Sequence, residues 1–262
     1  MSAVLEKPLA PPKSVSLRQS VKTSSHSTLL ELQCANCNSR ELCLPCAIAD
    51  SDLQRLDEFK FARRKIKMGQ PLYREGENFK CIYAVRSGTF RSNLVLPDGR
   101  EQVNGFYMAG EVMGLDAIAY GTHASTATAL EDAEACAIPY ADLSQLAVGN
   151  SILYQVIGRM MSREILREHS LMLLLGSMNA EERLAAFLLN MSHRLKARGY
   201  SASEFHLRMS RADIGSYLGL TLETVSRTFS AFQQLRLLEV DKRHIRVLDL
   251  DRLRQAVEIT LR

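Results

Sequence analysis

Four of the six cysteines in this 262-residue chain fall within thirteen positions, in the stretch Cys34-Ala-Asn-Cys37-Asn-Ser-Arg-Glu-Leu-Cys43-Leu-Pro-Cys46. Thiolates separated by two and then five residues on a turning backbone can converge on one centre, whereas disulfides at such short spacing strain the loop. The grouping therefore calls for a metal, with zinc and an iron-sulfur cluster both open as its identity. By local spacing alone, Cys34, Cys37, Cys43 and Cys46 form the natural set of four, as in a zinc knuckle or ribbon. Cys81 and Cys136 lie far from them along the chain.

A second chemistry is written between Ser210 and Arg227. Ser210 and Thr221 have the residue types that cap helix N-termini, Gly219 suits the tight turn between two helices, and small Gly215 lets those helices approach. Ile214, Leu218, Leu220 and Val225 close a small core between them. These are the requirements of a helix-turn-helix, whose second helix enters a DNA major groove with its first turns towards the bases. Glu223, Ser226 and Arg227 share one face of that helix. Arginine forks onto guanine, glutamate accepts from the cytosine amino group, and serine serves either partner. Beyond it, Leu238-Glu239-Val240 and Ile245-Arg246-Val247-Leu248 flank Asp241-Lys242-Arg243-His244, a basic-tipped hairpin that places Lys242 and Arg243 against the phosphate backbone as a wing.

The elements that carry these residues follow from pattern. Residues 1–30 hold Pro8, Pro11 and Pro12 among many Ser and Thr, and read as a disordered leader. It delivers the cysteine loop, residues 31–48. A short amphipathic helix is expected over Ala49 to Phe61, with Leu53, Leu56 and Phe59 at helical spacing behind Ser51 or Asp52. Residues 49–141 are expected to form one folded unit. From Lys65 to Pro139, short alternating segments are broken by glycines, of which Gly88, Gly99, Gly110 and Gly121 recur every 11 residues. That rhythm predicts an antiparallel β-roll, with Pro97-Asp98-Gly99 as a hairpin turn.

Residues 142–177 form the longest helical pattern, in which Ile157, Met161, Ile165, Met172 and Leu175 make a coiled-coil-like stripe able to pair with its copy. The position that completes the stripe is Glu168. Two carboxylates meeting across an apolar two-fold contact repel and lose hydration, so the dimer is expected to be marginal. The winged helix-turn-helix unit, residues 178–262, opens on Asn179 with Glu182 three residues on, the signature of a capping box.

Composition is consistent with this division. The 46% hydrophobic content supplies a core for each of two domains. Net charge is +4, and all of the excess lies in the last third: residues 179–262 hold 14 Lys and Arg against 10 Asp and Glu, and residues 1–178 hold 19 of each. A basic bias confined to one unit suits a polyanionic partner. With no run near the roughly 18 apolar residues that span a bilayer, and no apolar signal core, the chain is expected in the cytoplasm without a membrane partner. In that reducing compartment cysteines serve as ligands. A nucleotide-binding glycine loop, a radical-type Cys-x3-Cys-x2-Cys run and a nucleophile-His-acid grouping do not occur in the sequence, so an enzyme is not expected.

In this order of elements the chain resembles the FNR family of bacterial anaerobic regulators, within the CRP superfamily. The resemblance runs from Cys34 to near the end. It rests on Cys34-x2-Cys37-x5-Cys43, on Gly105-Phe106 to Gly114-Leu115-Asp116-Ala117-Ile118, on Ala129-Leu130-Glu131 leading to Cys136-Ala-Ile-Pro139, on Asn179 to Phe187, and on Ile214-Gly215-x-Tyr217-Leu218-Gly219-Leu220-Thr221 through Arg227. It implies that the fourth ligand is Cys136 in place of Cys46, and that Cys34, Cys37, Cys43 and Cys136 hold an oxygen-labile [4Fe-4S] cluster. It also implies a homodimer bound to an inverted promoter repeat of the TTGAT-N4-ATCAA type when oxygen is absent, and contact with RNA polymerase through the region of Pro97 to Arg100. Cys81 has no counterpart in the family pattern and is expected to be a buried thiol. Cyclic nucleotide is not expected as a ligand, because the Arg-Ser pair that holds its phosphate is replaced by Ala124 and Ser125.

Overall fold

The computed structural model describes residues 43, 61–148 and 150–258. The leader expected to be disordered, the helix expected before Phe61, and Cys34, Cys37 and Cys46 lie outside the described residues. The rest follows the expected architecture: an antiparallel roll, a long helix and a winged helix-turn-helix.

Two four-stranded sheets make the roll. The first has the order β1 (Ala62–Ile66), β8 (Ala133–Pro139), β3 (Cys81–Ser87), β6 (Val112–Met113). The second runs β2 (Pro71–Tyr73), β7 (Thr126–Ala129), β4 (Thr89–Val95), β5 (Glu101–Met108). Between them lies a core that includes Tyr83, Val85, Phe90, Tyr107, Met113, Ala127 and Ala135. The four glycines spaced by 11 all take positive φ, between 73° and 88°. At Gly88 a Cβ would stand 2.6 Å from that of Ala133, so the turn needs glycine for space as well as for conformation. In the hairpin between β4 and β5 the amide of Gly99 donates to the Leu96 carbonyl at 2.8 Å.

The residues expected to form one helix from Asp142 instead form two, α1 (Tyr140–Ala147) and α2 (Ser151–Ser177). The physical reason is a cap. Val148 leaves the helix with extended ψ, and the Asn150 side chain accepts from the Leu153 amide at 3.0 Å, starting a new N-terminus. α1 and the first turns of α2 cover the outer face of the first sheet through Leu143, Leu153 and Val156.

The C-terminal unit contains α3 (Ala180–Lys196), β9 (Glu204–His206), α4 (Arg211–Leu218), α5 (Leu222–Gln234), the hairpin β10 (Leu238–Asp241) and β11 (His244–Val247), and α6 (Leu250–Glu258). Its core extends into the roll, taking Val103, Phe106 and Met108 from β5 together with Phe187, Ile214, Val225 and Phe229. Strict alternation puts Val103 on the opposite face from Phe106. An irregularity in register between Ser92 and Asn93, opposite Asn104, restores it to the same side.

Candidate nucleic-acid interface and metal centre

The helix-turn-helix is built as its residue types predict. The Ser210 side chain accepts from the Asp213 amide at 3.1 Å, and Asp213 returns to the Ser210 amide at 2.8 Å. Gly219 sits in the left-handed region at φ 64°. A Cβ on Gly215 would come 2.7 Å from the Leu220 carbonyl oxygen. Thr221 accepts from the Thr224 amide at 3.1 Å and starts α5, whose inner face buries Val225, Phe229 and Phe232. The outer face is left with Glu223 and Arg227 exposed and Ser226 partly so. The Glu223 carboxyl is held below its ordinary value, first by its own backbone amide and then by Thr221 and Arg227, so it is an ionised acceptor. Arg227 Nη2 lies 3.3 Å from Thr224 Oγ1.

The wing hairpin pairs Leu238 with Val247 and Asp241 with His244. Lys242, at its tip, takes a positive φ of 54°, and Arg243 reaches back to donate to the Arg208 carbonyl at 3.0 Å. Two features here escape sequence reasoning. Strand β9 adds a third member to the wing sheet through the pairs Ile245 with Phe205 and Arg246 with Glu204. Arg211 lies 3.5 Å from the Phe229 ring centroid and donates to the Lys242 carbonyl at 3.1 Å, joining helix to wing. Burial and then the charge of Arg243 bring its pKa down to about 10. No periodicity marks such a residue, since its role comes from a ring and a carbonyl distant in sequence.

Of the candidate ligands, Cys43 and Cys136 are described. Both pack against the same apolar group, formed by Phe61, Ile82, Ala84, Ile138, Leu143, Leu153 and Val156. Register explains it. Cys136 stands opposite Ala84, and Ile138 opposite Ile82, so these four side chains share the outer face of the first sheet. Cys81, one step out of phase, packs instead against the roll interior, where burial raises its thiol above the ordinary value. Cys43 also lines a cavity of about 470 Å³ together with Arg159, Arg163, Arg167, Arg194 and Arg198.

The stripe expected on the long helix is divided. Ile157 packs beside Cys136 in the apolar group just described, and Leu175 packs on the core of the C-terminal unit, 3.3 Å from where a Cβ on Gly219 would stand. Between these ends Ile165 is 55% exposed and Met172 60%. Met161 and Glu168 line a cavity of about 580 Å³ between α2 and the roll. Burial, then the neighbouring charge of Glu164, holds the Glu168 carboxyl above its ordinary value. Glu164 is itself occupied, accepting from the Tyr107 hydroxyl at 2.8 Å and pairing with Arg167 at 3.1 Å.

Beside the shared apolar core, close polar contacts also join the units. Glu111 meets Arg194 and Arg198 at 2.6 Å each. Arg183 donates to the carbonyls of Leu175, Met178 and Leu218 at 2.8, 2.8 and 2.9 Å, tying the end of α2 to the end of α4.

A family model for the cyclic nucleotide-binding domain matches residues 63–150, and one for the Crp-like helix-turn-helix domain matches residues 182–256. The fumarate and nitrate reduction regulatory protein of Escherichia coli K12 is 42% identical over 224 residues, which make up 86% of this chain and 90% of that one. The chain belongs to the CRP/FNR family of transcriptional regulators. Its members are DNA-binding transcription factors rather than enzymes. Another CRP/FNR relative, the anaerobic regulatory protein of Haemophilus influenzae, is 43% identical over 87% of this chain and 88% of its own length. Among solved structures, FixK2 from Bradyrhizobium japonicum superposes with a TM-score of 0.70 at 33% identity, over 76% of this chain and 98% of that one. Among the described residues, no helix is long and apolar enough to cross a membrane.

Proposed function

We propose that this CRP/FNR-family regulator is an oxygen-responsive switch in which Cys34, Cys37, Cys43 and Cys136 hold a [4Fe-4S] cluster. In the absence of oxygen two chains pair through α2 and bind an inverted repeat of the TTGAT-N4-ATCAA type; oxygen ends the pairing. The observation that carries this reading is the shared seat of Cys43 and Cys136 on one apolar group that also contains Leu153 and Val156 from the start of α2. A thiol from the cysteine loop and a thiol from the roll thus pack on one apolar group that includes the start of the long helix. The names of the relatives, with their reference to anaerobic regulation and to fumarate and nitrate reduction, support the same reading.

The donor set fits the group. Four soft thiolates suit iron-sulfur ligation, the apolar seat limits solvent access, and the guanidinium groups of Arg159 and Arg163, on the cavity that Cys43 also lines, offset the negative charge of clustered thiolates. Bound there, a cluster would supply reactivity towards oxygen, and Cys34, Cys37, Cys43 and Cys136 would hold it. The remaining steps belong to the chain. Ile157 lies against the cysteine seat and Leu175 against the helix-turn-helix, so α2 is a bar between them. Its middle, with Ile165 and Met172 exposed and Met161 and Glu168 half-buried, is the surface for the second chain. Glu168 keeps that pairing weak, so a few kcal/mol from contacts at the cysteine seat decide it.

In the dimer two recognition helices stand about one DNA turn apart, with Glu223, Ser226 and Arg227 towards base edges, Thr221 at the helix entrance, and Lys242 and Arg243 on the backbone. The exposed loop Pro97 to Arg100 is the surface for RNA polymerase. The test is to purify the protein without oxygen and measure iron, sulfide, mass and operator affinity before and after controlled air exposure. A brown dimer that bleaches, dissociates and loses its operator in air is expected. A colourless zinc protein, or one that binds its operator equally in air, refutes the reading.

A further inference from the structure

The short 3-10 turn Leu115–Ala117 carries Asp116 into the loop that precedes β7. Two consecutive backbone amides, those of Ala124 and Ser125, donate to the single oxygen Asp116 Oδ2 at 2.9 and 3.1 Å. The Ser125 hydroxyl donates to the same oxygen at 3.0 Å. The ring of His123, buried and stacked on Tyr73 at 3.9 Å, places Nδ1 at 3.5 Å from the other carboxylate oxygen. Successive amides and a hydroxyl aimed at one point make a cradle for an anionic oxygen. In this chain the oxygen comes from a side chain of the protein.

The cradle opens on the cavity of about 580 Å³ between roll and long helix, lined by Asp116, Ser125, Tyr73, Asn104 and, across from them, Glu164 and Glu168. Asn104 Oδ1 is buried there without a hydrogen-bond partner. The space is large enough for a small organic molecule, and the matched domain family is one that binds cyclic nucleotides. The anion cradle on its wall is already filled by the Asp116 carboxylate.

We propose that Asp116 is a built-in anion that takes the place of a ligand phosphate in the Ala124–Ser125 cradle and so closes the roll to phosphate-bearing ligands. The absence of an arginine at position 124 is then one half of the exclusion, and Asp116 is the other. A guanidinium introduced at position 124 meets the Asp116 carboxylate rather than a ligand. Only removal of both obstacles exposes two amides, a hydroxyl and a cation to an incoming phosphodiester. Burial opposes ionisation of Asp116, yet the contacts with His123 and Ser125 and the amide of Ala124 outweigh it and hold the carboxyl below its ordinary value, as an occupant of an anion cradle requires. The inference concerns the roll alone and holds whichever metal the cysteines carry.

The experiment uses the full chain and its Ala124→Arg, Asp116→Ala and doubly substituted forms, with adenosine 3′,5′-cyclic phosphate and inorganic phosphate as probes in titration calorimetry. The double variant is expected to bind the cyclic phosphate at least roughly tenfold more tightly than Ala124→Arg alone, the equivalent of one charge-assisted hydrogen bond. Asp116→Ala is expected to gain thermal stability from inorganic phosphate where the unsubstituted chain gains none. The proposal fails if the folded double variant binds no better than Ala124→Arg. It fails equally if Asp116→Ala stays unfolded in concentrated phosphate, because an anion then does not replace the carboxylate.

Discussion

Arg91 Nη1 on strand β4 lies 2.5 Å from Asp213 Oδ1 on the first helix of the helix-turn-helix. The other oxygen of the same carboxylate accepts from the Ser210 amide and hydroxyl at 2.8 and 2.6 Å. One side chain therefore closes the cap of α4 and fastens that helix to the sensor roll. Nearby, the Ser216 hydroxyl accepts from the Val103 amide at 2.9 Å, and Gln102 donates to the Ser216 carbonyl.

Replacement of Arg91 by Ala leaves Asp213 buried with its cap but without its cation, at a cost of about 2 kcal/mol. Denaturant unfolding should shift accordingly, and operator affinity should fall although Arg91 touches no DNA. A variant with unchanged unfolding and affinity would show that the contact is idle.

Glu111 gives a pH dependence of defined sign. Burial opposes its ionisation, but Arg194, Arg167 and Arg198 prevail and hold its pKa below the ordinary 4.5. Its contribution to stability is present above that value and is lost as the pH falls through the lower, folded one. Glu111→Gln leaves two guanidinium groups without their carboxylate, so unfolding at neutral pH should cost about 3 kcal/mol less and its acid sensitivity should flatten. Thermal melts across acid pH measure both.

Glu168 has the opposite sign. Its carboxyl is held above 4.5, first by burial and then by Glu164, so its favourable contribution is complete below 4.5 and fades as the pH rises through the folded value. Pairing of two such surfaces should tighten on mild acidification. Glu168→Leu should give a dimer in air, seen by sedimentation, that binds the operator without its metal. A monomer in air would place the pairing surface elsewhere.

The two interface classes separate by salt and sequence. Arg227→Ala should cost about 1–3 kcal/mol at the cognate site and little on random DNA. Lys242→Ala should weaken both alike and lower the salt slope by about one. Equal losses for both variants on both DNAs would remove the assignment of Arg227 to base readout.

For the thiols, Cys136→Ala should lose iron and sulfide on anaerobic purification and Cys81→Ala should keep them. Retention in Cys136→Ala with loss in Cys46→Ala would move the fourth ligand into the cysteine loop.

What the sequence determined by itself were the elements whose causes are local. Ser210, Thr221 and Asn179 cap helices because a side-chain oxygen reaches an amide two or three residues on. The glycine rhythm marks the turns of the roll because positive φ is a property of single residues. The face shared by Glu223, Ser226 and Arg227 follows from helical period alone. Local pattern also had a limit: it offered Cys46 and not Cys136, which only the family resemblance brought in, and it ran one helix through the break that Asn150 makes. Tertiary structure decided matters of register and distance. The pairing of β8 with β3 sends Cys136 outward and Cys81 inward, the irregularity beside Asn104 turns Val103 towards the DNA-binding unit, and Asp116 meets amides eight and nine residues away. No spacing rule contains these contacts, because each depends on which strands lie side by side after the chain has folded.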